Sequence, residues 1–355
     1  LLILKPQKRR NLKFRQLIYL VLLFVLPVSA VAEANAAQIE IPAEVPKIII
    51  NTTETINGDA YVAATIKIID QQGGEYETIV DEASSVKIRG NSTAAAAKKP
   101  YNIKFSAKTD VLGMGKNKKW SILANCFDKT LIRNMTAFEF AKAFGVPYTP
   151  NYRVVDVYVN GFLQGSYLIV DSIEVGSTRV DIDTDNNDFL LELDYNPEDE
   201  DCQYFYSPTY NIKFAINEPE LEDLTEEQFT YVQNFMVEAE NALASGDYNE
   251  VVKYFDVESM MNFYITLEYF KNVDANVSST RFFIKEGKIY GGPVWDYDLS
   301  AGNCEAEYYA NYHNYTGTDI ESNRSYEGFH AKNVPWFNAL LGYEEFTQSV
   351  KARFV

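Results

Sequence analysis

Between residues 45 and 105 the apolar residues fall into short, separated runs. Residues 48–50 (III) predict a buried strand. Residues 61–70 (YVAATIKIID) alternate apolar and polar positions, the period of a strand with one covered face, and Gly73-Gly74 close it. Residues 86–89 and 101–105 predict two more strands, joined by Gly90-Asn91-Ser92-Thr93, the alanines 94–97 and Lys98-Lys99. The period then changes. Leu131, Met135, Phe138, Ala141 and Phe144 recur at helical spacing, predicting a helix over about 129–144 with Asp128 as its cap and Gly145 and Pro147 as its stop. Residues 154–159 and 166–170 flank Asn160-Gly161, a two-residue hairpin signal, with Gly165 pointing to a longer loop. Thr225 and Gln228 form a capping box for a helix to about 245, stopped by Gly246. Asp256 caps another to about 270, with Met260, Phe263, Leu267 and Phe270 inward. A strand over 281–285, a turn at Glu286-Gly287 and a strand from 288 into Gly292-Pro293-Val294-Trp295-Asp296 follow. Strands, helix, hairpin, helices and hairpin, in that order, predict an α+β fold of two lobes.

The first 32 residues follow another pattern. Lys5, Lys8, Arg9, Arg10, Lys13 and Arg15 precede an uncharged run over 17–32 that ends in Ala30-Val31-Ala32, with Ala37 as a second small-residue exit. This is the pattern of a secretory signal peptide, 1–32. The run is shorter than the ~20 residues a spanning helix needs, and Pro27 breaks it, so cleavage without lasting membrane insertion is expected. A short polar segment, 33–44, leads to a domain over 45–355, with a β-rich lobe over about 45–175 and a helical lobe over about 176–355. The chain starts at Leu1 rather than Met and stops just after a helical run over 343–355, so one or both ends are expected to be incomplete.

Composition narrows the chemistry. Hydrophobic residues make up 46%, enough for a sizeable core, and the net charge of -18 argues against a nucleic-acid or anionic-lipid partner. A phosphate ligand would have to be held by a few local cations and by metal. The 25 Tyr and 22 Phe read first as core packing, and otherwise as an adhesive extracellular surface. Cys126, Cys202 and Cys304 allow one disulfide outside the cell, and with only His313 and His330 a Cys/His zinc site is not expected.

Two places concentrate candidate chemistry. In the stretch 87–105 (KIRGNSTAAAAKKPYNIKF), Lys87, Arg89, Lys98, Lys99 and Lys104 cluster around a glycine- and hydroxyl-bearing loop, which can direct backbone N–H groups at phosphate. As a bare pattern it is equally an ordinary hairpin with solvated charges. Asn272-Val273-Asp274 and Trp295-Asp296-Tyr297-Asp298 each place carboxylates just beyond an element, which suits a general base and a hard-cation site, or simply turn caps. Asp181, Asp183, Asp185 and Glu192 hold the spacing of a calcium loop, but Asn186 stands where glycine is needed, so an acidic surface loop is expected.

Taken together, several stretches resemble the CotH (spore-coat protein H) kinase family. They are KIRGNST with KKPYNIKF, Leu112-Gly113-Met114, KKWSILAN (118–125), DKTLIRN (128–134), VYVNG (157–161), FLLELD (189–194), Lys271-Asn272-Val273-Asp274 and GPVWDYD (292–298). The resemblance implies a two-lobed, atypical protein-kinase-like fold using ATP with Mg²⁺ or Mn²⁺. It implies Asp274 as the catalytic aspartate, Asp296 and Asp298 as metal ligands, Trp295 beside the nucleotide, and Arg89, Asn91 and Ser92 in the loop over the phosphates. Lys104 and Glu139 are expected as the pair that orients the phosphates. The H-R-D, D-F-G and G-x-G-x-x-G motifs of protein kinases are absent. The implied activity is phosphorylation of hydroxyl side chains of exported or surface proteins by a secreted enzyme. The alternative is a non-catalytic extracellular adhesion or scaffold protein. An accessory protein of a secreted carbohydrate-degrading system is a third idea.

Overall fold

The computed structural model describes residues 44–194, 202–304 and 327–354. The expected leader therefore lies outside the described residues, as does nearly all of the polar segment. Val45–Val355 form one compact unit.

Its strands are β1 (Lys47–Asn51), β2 (Val62–Ile69), β3 (Ile79–Ile88), β4 (Tyr101–Asp110), β5 (Lys116–Leu123), β6 (Tyr152–Val159), β7 (Phe162–Asp171), β8 (Phe189–Leu193), β9 (Tyr204–Tyr206), β10 (Lys213–Glu218), β11 (Thr280–Lys285) and β12 (Lys288–Gly291). Its helices are α1 (Ser92–Ala95), α2 (Arg133–Phe144), α3 (Glu226–Ala244), α4 (Tyr248–Tyr254), α5 (Val257–Tyr269), α6 (Pro335–Leu340) and α7 (Glu344–Phe354). No helix among the described residues is long and apolar enough to cross a membrane.

The first seven strands close a barrel in the order β1-β2-β3-β4-β5-β7-β6. Closure comes from β1, which pairs antiparallel with β2 and parallel with β6. The alternation in β2 explains the need for it. Ala64, Ile66 and Ile68 are buried while Thr65 and Lys67 face outward, and a closed sheet covers that one face without leaving an edge. In β7 the alternation gives way to an unbroken apolar run. Tyr167 and Ile169 fill the barrel, whereas Leu168 and Val170 face a second core, which Leu123 of β5 also joins. The wall formed by β5 and β7 is thus buried on both sides, as continuous apolar strands require. The turn between β6 and β7 is the two-residue one, with Asn160 and Gly161 both at positive φ. Gly165, which had pointed to a longer loop, instead sits at a bulge, where the register shifts between Val157 and Tyr158.

The second core lies between a five-stranded sheet, β12-β11-β8-β10-β9, and helices that include α2, α3, α5 and α6. Trp336 is its hub, with ring centroids of Phe214, Phe255 and Phe282 at 5.0, 5.4 and 5.0 Å. The α+β class is as expected. The β-rich part is a closed barrel, and the part after residue 176 sets its helices against a five-stranded sheet. β5, β9, β10, α1, α4 and α6 went unpredicted, β5 because lysines at 116, 118 and 119 mask the inward alternation of Trp120 and Ile122. No disulfide joins Cys126, Cys202 and Cys304, all within the described residues.

Candidate active site

Three segments converge on the candidate site: the end of β3, the turn after α5 and the segment after β12. α5 ends where Lys271 turns left-handed at φ 49°. Asn272 then starts a helical turn over Val273–Asn276, its Oδ1 accepting from the Asp274 amide at 3.1 Å. The Nδ2 of the same side chain donates to the Asp296 carbonyl at 3.3 Å. One buried asparagine therefore ties the Asp274 turn to the Asp296 segment.

That segment is braced from the helix side. Asp296 has φ 60°, an uncommon conformation for a residue with a Cβ. Next to it the Tyr297 amide donates to Asn134 Oδ1 at 2.7 Å, and Asn134 Nδ2 donates to Asn125 Oδ1 at 2.9 Å. Asn303 Nδ2 bridges the Asp298 and Phe127 carbonyls at 2.6 and 2.9 Å, and Arg133 Nε donates to the Ser300 carbonyl at 3.1 Å. Asp128 holds the start of α2 in register. It accepts from the Arg133 amide at 2.9 Å, so it does serve the helix, but the helix begins four residues later than the spacing predicted.

The carboxylates share one electrostatic environment. Asp298 is buried, and its carboxyl is pushed well above the usual range by that burial, then by the charge of Asp296, a hydrogen bond with Asp296, and the charges of Asp274 and Asp128. Asp298 thus lies close enough to Asp296 for the two carboxyl groups to act on one another. Burial likewise pushes up the Cys126 thiol, with Asp298 adding to it.

Opposite the acids stands Arg89, the residue just beyond β3. Its guanidinium lies 5.2 Å from the centroid of the Trp295 ring, and Arg281 approaches the same ring at 5.7 Å. Burial lowers the Arg89 pKa most, the charge of Asp296 opposes this, and Arg281 adds to the lowering. Arg281 is held in turn by Glu192 at 2.7 Å, its direct cross-strand neighbour between β11 and β8. This engagement takes Glu192 out of the calcium-loop pattern.

The structure therefore brings Asp274, Asp296, Asp298, Arg89 and Trp295 together. Other expected residues stand elsewhere. Asn91 is exposed and Ser92 opens the single turn α1, and no hydrogen bond or ion pair joins either to the carboxylates. Lys104 stands on the exposed side of β4. Glu139 is an exposed residue of α2 beside Tyr152, whose hydroxyl it hydrogen-bonds. The expected Lys104–Glu139 pair is not formed, because topology alone could not say which side of each element faced the site. Lys98 is drawn inward, its Nζ over the Tyr167 ring at 4.2 Å and donating to the carbonyls of Ala124, at 2.9 Å, and Ser166. Arg281 and Asn134 had no assigned role from sequence, and Glu192 was read only within the spacing of a calcium loop. A charge inside the apolar run FLLEL was the available signal for Glu192.

The donors are all oxygens, which fits a hard cation such as Mg²⁺. Among the described residues no group of three or more His, Cys, Asp or Glu is spaced to hold a metal. Two carboxylates with the remaining ligands left to phosphate and water is a normal arrangement for Mg²⁺, so the acid pair fits such an ion. Arg89 is a cation that phosphate oxygens can bind, and Asp274 a carboxylate that can accept a proton.

A family model described as CotH kinase protein matches residues 86–355, from β3 through the whole second core. No curated protein matches the chain.

Proposed function

The chain belongs to the CotH kinase family, and from that premise we propose that it transfers the terminal phosphoryl group of ATP to hydroxyl side chains of exported or surface proteins. The convergence of Asp274, Asp296, Asp298 and Arg89 from three separate segments carries this reading. Asp274 accepts the proton of the acceptor hydroxyl as its oxygen bonds to the terminal phosphorus. The bond from that phosphorus to the bridging oxygen breaks, and ADP leaves with the electron pair. Arg89 neutralises phosphate charge, and the face of Trp295 orients its guanidinium. Asp296 and Asp298 would hold Mg²⁺, which when bound neutralises charge on the phosphates. The basic start and short apolar run over 1–32 support export of the enzyme.

The test is transfer from radiolabelled ATP with Mg²⁺ or Mn²⁺ to generic protein acceptors by the chain from Gln38. Asp274→Ala and Asp296→Ala are run beside it. The wild type should incorporate label, Asp274→Ala should fall by about 10²-fold or more, the usual worth of a general base, and Asp296→Ala, which removes a carboxylate for the metal, should fall as well. No incorporation, together with no thermal stabilisation by Mg-ATP, would overturn the reading in favour of adhesion or scaffolding.

A further inference from the structure

The ring of Trp295 carries two cations. The Arg89 guanidinium stands 5.2 Å from its centroid and the Arg281 guanidinium 5.7 Å, while the tryptophan itself is buried. An indole face attracts a cation, but two like charges at one ring repel each other. The repulsion is felt at Arg89, whose pKa Arg281 helps to lower.

The two arginines are held differently. Arg281 belongs to β11, and its Nη2 donates to Glu192 Oε2 at 2.7 Å, across the ladder from β8. Both side chains are nearly closed to solvent, where breaking an ion pair is strongly unfavourable. Its Nη1 also reaches the Ser279 carbonyl at 3.5 Å. Arg281 is therefore fixed. Arg89 is not. Among the described residues its guanidinium makes no hydrogen bond or ion pair, so its N–H donors remain available to a ligand.

Charges at longer range act on Arg89 in a definite order. After burial, the attraction of Asp296 is largest, then the repulsion of Arg281, then the attraction of Glu192. Glu192 is thus a carboxylate whose charge reaches Arg89, and Arg281 both occupies that carboxylate and outweighs its pull. Removing Arg281 would reverse the balance. Glu192 would lose its cross-strand cation in a nearly closed place, and Arg89 is an unengaged cation at the same ring, already under its pull. A guanidinium drawn into an ion pair with Glu192 would have fewer donors left for phosphate.

We propose that Arg281 is a positioning residue for nucleotide binding: by occupying Glu192 it keeps the Arg89 guanidinium unpaired for phosphate oxygens. The role rests on the reading of Arg89 as a phosphate ligand. It makes Glu192 a competitor for Arg89 that its own cross-strand partner neutralises.

The experiment measures Mg-ATP affinity by titration calorimetry. It compares the full chain with Arg281→Met, with Arg281→Lys, and with the double variant Glu192→Gln, Arg281→Met. Arg281→Met should bind about tenfold more weakly, the worth of one charge-assisted hydrogen bond. Arg281→Lys keeps a cation for Glu192 and should bind as the wild type does. The double variant removes the competitor as well, so its affinity should return to the wild-type value. A merely structural role for Arg281, or a phosphate contact made by Arg281 itself, would leave the double variant at least as weak as Arg281→Met. That result, or unchanged affinity in Arg281→Met, would overturn the proposal. Should Arg281→Met fail to fold, the double variant decides, since weakened binding there would overturn the proposal by itself. A crystal structure of Arg281→Met separates this role from the kinase reading. Arg89 should now hydrogen-bond Glu192, and an Arg89 that has not moved would overturn the positioning role. Failure of the wild type to bind Mg-ATP would count against the kinase reading and leave the position of Arg89 to decide this one.

Discussion

Asn272 is the residue on which the candidate site most depends without itself reaching a substrate. Its side chain is the shared partner of the Asp274 amide and the Asp296 carbonyl, and it is buried. Replacing it with alanine leaves both groups to find water in a closed place. Asn272→Ala should cost about 1–3 kcal/mol of stability, measured by urea unfolding. Phosphoryl transfer should fall further than stability does, because the geometry between base and acid pair loosens. Unchanged transfer would mean that Asp274 and Asp296 are positioned by other contacts. Tyr152 offers a second test at this scale. Its hydroxyl is pushed up to about 12 by burial, then by the charge of Glu139 and a hydrogen bond to it. The unfolded chain ionises this tyrosine near its ordinary value of 10.0. The tyrosine's contribution to stability is therefore full below pH 10 and is lost as pH rises toward 12. Ultraviolet titration of the phenolate, with Glu139→Gln beside the wild type, should show one late-ionising tyrosine shifting downward in the variant.

At the scale of elements, what was legible in the sequence was local. The capping box of α3 is one example: Thr225 Oγ1 accepts from the Gln228 amide at 3.2 Å, and Gln228 Oε1 accepts from the Thr225 amide at 3.0 Å. Thr225→Ala should lower stability by about 1 kcal/mol in urea melts. Asp256 likewise caps α5, accepting from the Ser259 amide at 2.9 Å, and Asn160-Gly161 makes the turn its residue types require. Asp274 and the 296–298 acids were found because carboxylates beyond element ends form short, recognisable strings. Contacts between distant segments were not legible. Nothing near Glu192 in the chain announces Arg281, and nothing near Asn134 announces the Tyr297 amide it accepts from at 2.7 Å. The choice of Lys104 and Glu139 failed for the same reason. A strand residue and a helix residue can be placed on elements from sequence, but which side of each faces the site depends on how the barrel closes.

The closure of the barrel through β1 and β6 was the largest feature missed, and it bears on how the whole molecule should unfold. Strand pairing across more than a hundred residues leaves no local signature, yet it makes β5 and β7 a wall common to two cores. Trp120 is fully buried on the barrel side and Trp336 on the other, where Glu240 accepts its indole N–H at 2.7 Å. Truncating either should cost about 3–5 kcal/mol as a large core deletion. Because Leu168 and Val170 belong to barrel strand β7 but pack into the second core, a loss on one side should be felt on the other. Trp120→Ala and Trp336→Ala are therefore expected to shift a single transition, coincident by far-ultraviolet circular dichroism and by the fluorescence of the remaining tryptophans. Two separated transitions in either variant would show that the shared wall does not couple the cores. The barrel end that carries Arg89 and the segment that carries Asp296 would then be free to come apart before the protein unfolds. Coincident transitions would instead mean that the site, which takes Arg89 from the barrel and its carboxylates from the second core, persists for as long as the fold does.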